Sequence, residues 1–347
     1  MITNNVLLGL NTSELHRLIL EEGEFPYRSS QLAEWLYRHG ARTFDDMSSL
    51  PAILLARLAQ KYKIGRSKIA AMKQSRDGSI KLLLEMSDGT KIETVGLPYA
   101  DRFSCCLSTQ VGCPTGCIFC ASGQDGLIRN LEPGEIVEQV LTVNEMVESG
   151  VIHVSSHKSR IDHVVFMGTG EPLLNYESTI KAVRLMNSEM RIGARNITVS
   201  TIGIVPGILK LAKEKLQITL AVSLHAPNDK LRKRLIPGMT RWSINEIMDA
   251  SSDYIQQTGR RVTFEYCMLD KINDGVAEAR ELAKILRSMN CHLNLIRYNP
   301  VSNLPFRISA RTREKIFREI LNSAGIQVTQ RLQRGVDIDA ACGQLRQ

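Results

Sequence analysis

The chain has 347 residues, 43% of them hydrophobic, with 44 Lys and Arg against 36 Asp and Glu for a net charge of +8. That length exceeds one ordinary core and predicts a large domain beside a smaller one, while the basic excess suits a polyanion such as RNA or DNA. No apolar run approaches the ~18 residues of a transmembrane helix, which excludes a helical membrane span. Eight cysteines without a secretory signal are expected of a reducing cytoplasm, where clustered thiols serve metals or redox chemistry.

The first elements read as helices. Asn11-Thr12-Ser13-Glu14 offers a cap, followed by Leu15, Leu18, Ile19 and Leu20 at helical spacing. A second helix follows Pro26, with a stripe of Leu32, Trp35, Leu36 and Tyr37, and a third begins near Leu50-Pro51 with Leu54, Leu55 and Leu58. Trp35 reads as a core anchor rather than a base-stacking platform. These helices form a small domain over residues 1–68, followed by an extension over 69–98. In the extension, β-rich runs at 79–86 and 91–97 flank Ser87-Asp88-Gly89-Thr90, a turn signal that predicts a β-hairpin.

The remainder, 99–347, alternates strands with helices. Strands are predicted at 103–108, 163–167, 196–200, 218–223, 261–267 and 292–297, with a seventh at 326–330. Helical spacing recurs at 133–148, 177–190, 205–213, 244–257 and 276–289. Such alternation implies right-handed crossovers and a parallel α/β sheet, either open or curled into a barrel. The unusual motifs then fall at C-terminal strand ends, where such folds gather ligands. A cysteine loop follows the first strand and Gly168-Thr169-Gly170-Glu171-Pro172 the second. Ser200 ends the third, Ser223-Leu224-His225-Ala226 the fourth and Tyr298-Asn299-Pro300 the sixth. The tail carrying Cys342 reaches the same edge after the seventh.

Cys113, Cys117 and Cys120 form a C-x3-C-x2-C run. Three thiolates so closely spaced can hold three corners of an iron–sulfur cube and leave one iron open for chemistry. A zinc site is the alternative, but structural zinc takes four protein ligands. The nearest candidates, His153, His157 and His163, read as a solvated polar connection. Gly168 and Gly170 let backbone approach a ligand, and Glu171 can accept from an amino or hydroxyl group. Ser200, Ser223 and Asn299 suit ribose or carboxylate oxygens, or equally serve as caps and turn residues. His225 has a satisfied buried histidine as its ordinary alternative, and Leu231-Arg232-Lys233-Arg234-Leu235 reads as a basic patch or a solvated helix face.

The cysteine spacing, with Phe119 before the last cysteine and Gly-x-Gly-Glu after the next strand, resembles the radical S-adenosylmethionine (SAM) enzymes. More narrowly, Gln110-Val111-Gly112-Cys113, Arg129-Asn130-Leu131, Phe166-Met167-Gly168-Thr169-Gly170-Glu171, Ser223-Leu224-His225-Ala226 and Asp337-Ile338-Asp339-Ala340-Ala341-Cys342-Gly343-Gln344-Leu345 resemble the RlmN/Cfr family of ribosomal RNA adenine methyltransferases. The likeness covers nearly the whole chain. It implies a radical SAM partial (β/α)6 barrel, a small N-terminal helical RNA-binding domain and a β-hairpin extension. It also implies a 4Fe-4S cluster on Cys113, Cys117 and Cys120, and SAM bound by Gly170, Glu171, Ser200, Ser223, Leu224, His225 and Asn299.

A ring carbon of adenine is not a nucleophile, so polar methyl transfer is closed and radical chemistry is the way around. By the resemblance, Cys342 takes a methyl group from one SAM, and a second SAM is cleaved to a 5′-deoxyadenosyl radical that activates the methylated sulfur. The carbon radical adds to adenine, and Cys106 frees the RNA through a transient disulfide with Cys342. Glu93 matches the family's proton acceptor, though the strand pattern alone predicts an exposed glutamate. Cys105 faces the other side of its strand and packs, and Cys267 and Cys291 are expected in the core.

Thr169 departs from the methionine common in this motif, and the stretch from Asn294 to Pro300 is closer to the Cfr branch. The N-terminal helices are closer to the RlmN branch, which favours carbon 2 over carbon 8 as the methylated position. The implied partners are 23S rRNA, an adenosine of the tRNA anticodon loop, and an electron donor such as flavodoxin or ferredoxin. Basic side chains supply phosphate contacts, and a buried base must be extruded. Two other classes stay open: a radical SAM enzyme on a non-RNA substrate, and a zinc-bearing RNA-binding module.

Overall fold

The computed structural model describes residues 5–152, 154, 158–239 and 241–345. Three helices begin the chain: α1 (Thr12–Glu21), α2 (Arg28–Glu34) and α3 (Ala52–Lys61). Asn11 and Glu14 close a reciprocal cap on α1, each side chain accepting from the other's backbone N–H at 2.9 and 2.8 Å. Leu15, Leu18 and Ile19 are buried, whereas Leu20, expected in the same stripe, is exposed because it lies off that face. The turn after α2 widens over Trp35–His39 and ends at left-handed Gly40. Trp35 packs half-buried against the core, its Nε1 donating to Ser49 Oγ at 2.7 Å.

Strands β1 (Lys68–Gln74), β2 (Ile80–Glu85) and β3 (Lys91–Pro98) form an antiparallel extension, with the expected turn at Asp88-Gly89. β1 escapes sequence reading because it is an almost wholly exposed edge strand without alternation. β4 (Phe103–Cys106) pairs antiparallel with β3 and parallel with β7 (His163–Phe166). Between them, β5 (Gln110–Gly112) and β6 (Leu127–Asn130) form a separate hairpin around the cysteine loop, followed by α4 (Pro133–Glu148).

The alternation continues as α5 (Tyr176–Ser188), β8 (Ile197–Thr201), α6 (Val205–Lys213), β9 (Thr219–Ser223), α7 (Asp229–Leu235), α8 (Ile244–Thr258), β10 (Val262–Met268), α9 (Val276–Leu286), β11 (Cys291–Arg297), α10 (Arg311–Ser323) and β12 (Val328–Gln330). The main sheet runs β1-β2-β3-β4-β7-β8-β9-β10-β11-β12, parallel from β4 onward. Its two end strands do not pair, so the barrel is partial as expected. Every residue of β10 is buried, as befits a strand covered on both faces.

One apolar core runs from the N-terminal helices through the barrel. Side chains join the two as well. Arg66 pairs with Glu138 and Glu145 of α4, Arg42 bonds Glu145 at 2.6 Å, and Lys181 of α5 bonds Glu14 at 2.8 Å. A second, smaller cluster gathers Val95, Leu97 and Cys106 with Ile338, Ala340 and Leu345, so the tail docks on β3 and β4.

Candidate active site

The cysteine loop is shaped by close backbone approaches. Gly112 has φ +76°, and a Cβ there would lie 2.0 Å from the Gly126 carbonyl oxygen, so β5 and β6 can meet only over a glycine. The Cys113 N–H donates to that same oxygen at 2.8 Å. Thr115 Oγ1 stands 3.1 Å from Cys113 Sγ and 3.5 Å from Cys117 Sγ. With Cys120, these cysteines wall a cavity of about 870 Å³, open mouth included. Burial pushes the Cys117 thiol up to about 12, with neighbouring Cys120 adding repulsion. Thiolates there need a cation, which an iron–sulfur cluster would supply. Among the described residues, no group of three or more His, Cys, Asp or Glu side chains is arranged to hold a single metal ion. His163 begins β7, at the opposite strand end from the motifs, 2.9 Å from Asp162, while His153 and His157 lie outside the described residues.

The end of β7 packs against the end of β4. A Cβ on Gly168 would lie 2.7 Å from the Leu107 carbonyl, and one on Gly170 2.7 Å from Gln110 Cβ. These glycines therefore serve chain-to-chain contact as much as ligand approach. Glu171 accepts from the Leu173 and Ile202 N–H groups at 3.0 and 2.8 Å. Burial nevertheless lifts its carboxyl to about 7. It lines the cavity with Gly170, Ser200, Ser223 and His225. The Ser200 and Ser223 hydroxyls are 3.5 Å apart on neighbouring strands. His225, in the left-handed region at φ +59°, accepts from the Cys267 N–H at Nδ1 (3.0 Å) and sets its ring edge-on to Phe119. Burial and the Arg232 charge push it down to about 3, so it is neutral with its proton on Nε2.

Two of the expected SAM residues stand off this wall. The Leu224 side chain is fully buried in the core, and its carbonyl accepts from Arg232 Nη1 at 2.7 Å. Asn299 borders a different cavity, donating to the Cys342 carbonyl at 3.0 Å and accepting from Gln333 at 2.7 Å. Arg232 also corrects the reading of its basic run. Lys233 and Arg234 are exposed, but Arg232 is buried and ties the Ser223, Leu224 and Ile202 carbonyls together.

The tail carries Cys342 into the cysteine cavity and also to the wall of a second, smaller one that it shares with Cys106. Burial raises the Cys106 thiol and the Cys342 charge adds to this, while Arg331 opposes both. Cys105 faces the core beside Thr94, as the strand alternation predicts. The tail is clasped to the cysteine loop: the Ala121 N–H donates to the Gly343 carbonyl at 2.8 Å and Ser122 Oγ to the Leu345 carbonyl at 2.6 Å.

Glu93 is not the exposed strand residue expected from pattern. It is buried, with Oε1 2.8 Å from Lys81 Nζ, because the tail covers that face of the extension. It lines a third cavity, of about 1020 Å³ with its mouth, alongside Asp339, Gln344 and Ala121.

Sequence reasoning missed four wall residues. Glu265 and Cys267 line the cysteine cavity from β10; Glu265 Oε1 accepts from Asn294 at 3.0 Å and its buried Oε2 has no hydrogen-bond partner among the described residues. Their spacing of two on a predicted strand was the available signal. Arg331, whose Nη1 donates to Met167 Sδ at 2.9 Å, and Lys81 carried no motif signal.

Two family models match the chain: the ribosomal RNA large subunit methyltransferase N-terminal domain over residues 5–64, and the radical SAM superfamily over 107–283. A probable dual-specificity RNA methyltransferase RlmN of Thermosynechococcus vestitus is 44% identical over 342 residues, spanning 99% of this chain and 98% of that one. Its namesake in Desulforamulus reducens is 43% identical over 343 residues, spanning 98% and 95%. The crystal structure of a radical SAM methyltransferase from Sphaerobacter thermophilus superposes with a TM-score of 0.93 at 45% identity, covering 98% of this chain and 99% of that one.

Proposed function

The chain belongs to the RlmN family of radical SAM RNA methyltransferases, and from that premise we propose that it methylates carbon 2 of an adenosine in 23S rRNA. An adenosine of the tRNA anticodon loop is the second substrate in this reading. Membership implies a 4Fe-4S cluster and SAM. Cys113, Cys117 and Cys120 would hold the cluster, with Glu171, Ser200, Ser223 and His225 around SAM, and the pair supplies the one-electron chemistry that an adenine carbon requires.

The observation that carries the proposal is Cys342, which lines both the cysteine cavity and the cavity of Cys106. One sulfur can thus receive a methyl group on one side and meet a second thiol on the other. Cys342 would take a methyl group from one SAM, and a second SAM with the cluster would supply the one-electron chemistry that activates it. The methyl carbon bonds to the adenine, Glu93 accepts the proton leaving the ring, and the one electron left on the ring would return to the cluster. Release follows when the Cys106 thiolate attacks Cys342 sulfur. The S–S bond forms, the S–C bond to the RNA breaks, and its electron pair stays on carbon, which takes up a proton to become methyl. A flavodoxin- or ferredoxin-class donor returns the electrons in the cytoplasm. Residues 1–68 contribute RNA contacts, 69–98 hold Glu93, and 99–347 perform the chemistry.

Nucleoside mass spectrometry of rRNA and tRNA from cells with and without the gene tests this, using both methyladenosine standards. Gene-dependent 2-methyladenosine is expected. Gene-dependent 8-methyladenosine would reassign the ring position, and no gene-dependent methyladenosine would overturn the substrate.

A further inference from the structure

Lys81 has no part in the reaction just described, yet it stands between two groups that do. It projects from β2 on the face shared with Glu93 of β3, which lies diagonally across, two residues from Lys81's direct partner Val95. Its Nζ lies 2.8 Å from Glu93 Oε1 and donates to the Asp339 carbonyl at 3.0 Å. The side chains of Lys81 and Glu93 are each only 10% exposed. Buried ammonium and carboxylate groups persist only with partners, and Lys81 has one on each side. Asp339 itself sits at φ +55°, in a region a non-glycine residue occupies only when its surroundings hold it there. It lies three residues before Cys342.

We propose that Lys81 is a positioning residue that joins the proton acceptor and the sulfur-bearing tail into one unit. Its ammonium holds the Glu93 carboxylate in place on the cavity wall, and the same nitrogen fixes the turn that presents Cys342. This rests on the roles given above to Glu93 and Cys342. The other charged groups facing the pair are Lys73, opposite Lys81 on β1, and the Asp339 carboxylate on the tail. The cysteine loop and the 300–302 segment bring no charge to this cavity.

The test uses full-length enzyme reconstituted anaerobically, with Lys81→Met and Lys81→Gln beside the parent. Methylation of the Cys342 peptide, RNA methylation, and hydrogen exchange across 337–345 are each followed by mass spectrometry. Both variants should lose RNA methylation by about tenfold or more. A third variant, Lys81→Arg, keeps a cation beside Glu93 and a donor for Asp339, and should hold RNA methylation within about threefold of the parent. Lys81→Met should also speed exchange in the tail, whereas Lys81→Gln retains a donor for Asp339 and should speed it less. Parent-level RNA methylation in Lys81→Met, an equal loss in folded Lys81→Arg, or unchanged tail exchange in Lys81→Met overturns the proposal. A parent enzyme that never methylates Cys342 overturns the underlying reading instead.

Discussion

The two walls that meet at Cys342 are built differently. On the barrel side, the site is fixed by main chain. Gly112, Gly168 and Gly170 allow backbone approaches that no other residue permits, and the buried Arg232 cross-links three carbonyls at the strand ends. On the extension side, the site is fixed by side-chain bonds between parts of the chain far apart in sequence. Ser75 Oγ donates to the Asp337 carboxylate at 2.5 Å and Lys81 to the Asp339 carbonyl at 3.0 Å. The first construction is rigid and leaves no substitute geometry. The second consists of separable contacts of about 1 kcal/mol each, which a substrate or a reaction step can exchange.

The largest effect should separate the two walls by chemistry. Cys342→Ala is expected to abolish RNA methylation while the reconstituted protein keeps its iron and its brown absorbance. Cys117→Ala should lose both; iron loss in the Cys342 variant would make the tail part of the metal site and break the comparison. Next, Cys106→Ala should accumulate RNA-linked enzyme on a denaturing gel while retaining Cys342 methylation. Normal turnover without an adduct would remove its resolving role.

A smaller contrast tests rigidity directly. Gly170→Ala puts a Cβ 2.7 Å from Gln110 at φ +109°, and should cost about 2–4 kcal/mol in thermal or urea unfolding. Gly89→Ala, at φ +81° with open space around it, should cost about 1 kcal/mol. Equal losses would mean the barrel side yields as easily as the extension.

The last effect appears only below neutral pH. His225 is held neutral down to about pH 3 in the fold, against an ordinary value near 6.5, so the unfolded chain binds its proton first. Its share of stability is present above about pH 6.5 and is lost as pH falls toward 3, at up to about 1.4 kcal/mol per pH unit. His225→Gln should flatten that part of the acid slope for the metal-free protein in chemical denaturation.

The same division explains what the amino-acid string reveals. The parallel strands are legible because burial on both faces demands short, continuous apolar runs such as β10, and the motifs follow from where those runs end. α10 is hidden because its polar residues leave Glu314, Phe317 and Leu321 alone buried. β1 is hidden because an exposed edge has no alternation to show. Glu93 is misread for a deeper reason. Its burial and its Lys81 partner depend on a tail segment that meets Lys81 across 258 residues, and local pattern carries no trace of that contact.

The bond from Ala121 N–H to the Gly343 carbonyl starts one residue beyond Cys120. A cluster held by Cys113, Cys117 and Cys120 would therefore be felt at residues 343–345. Limited proteolysis across residues 340–345 should consequently run faster on iron-stripped protein than on loaded protein, turning the tail into a gauge of cluster occupancy.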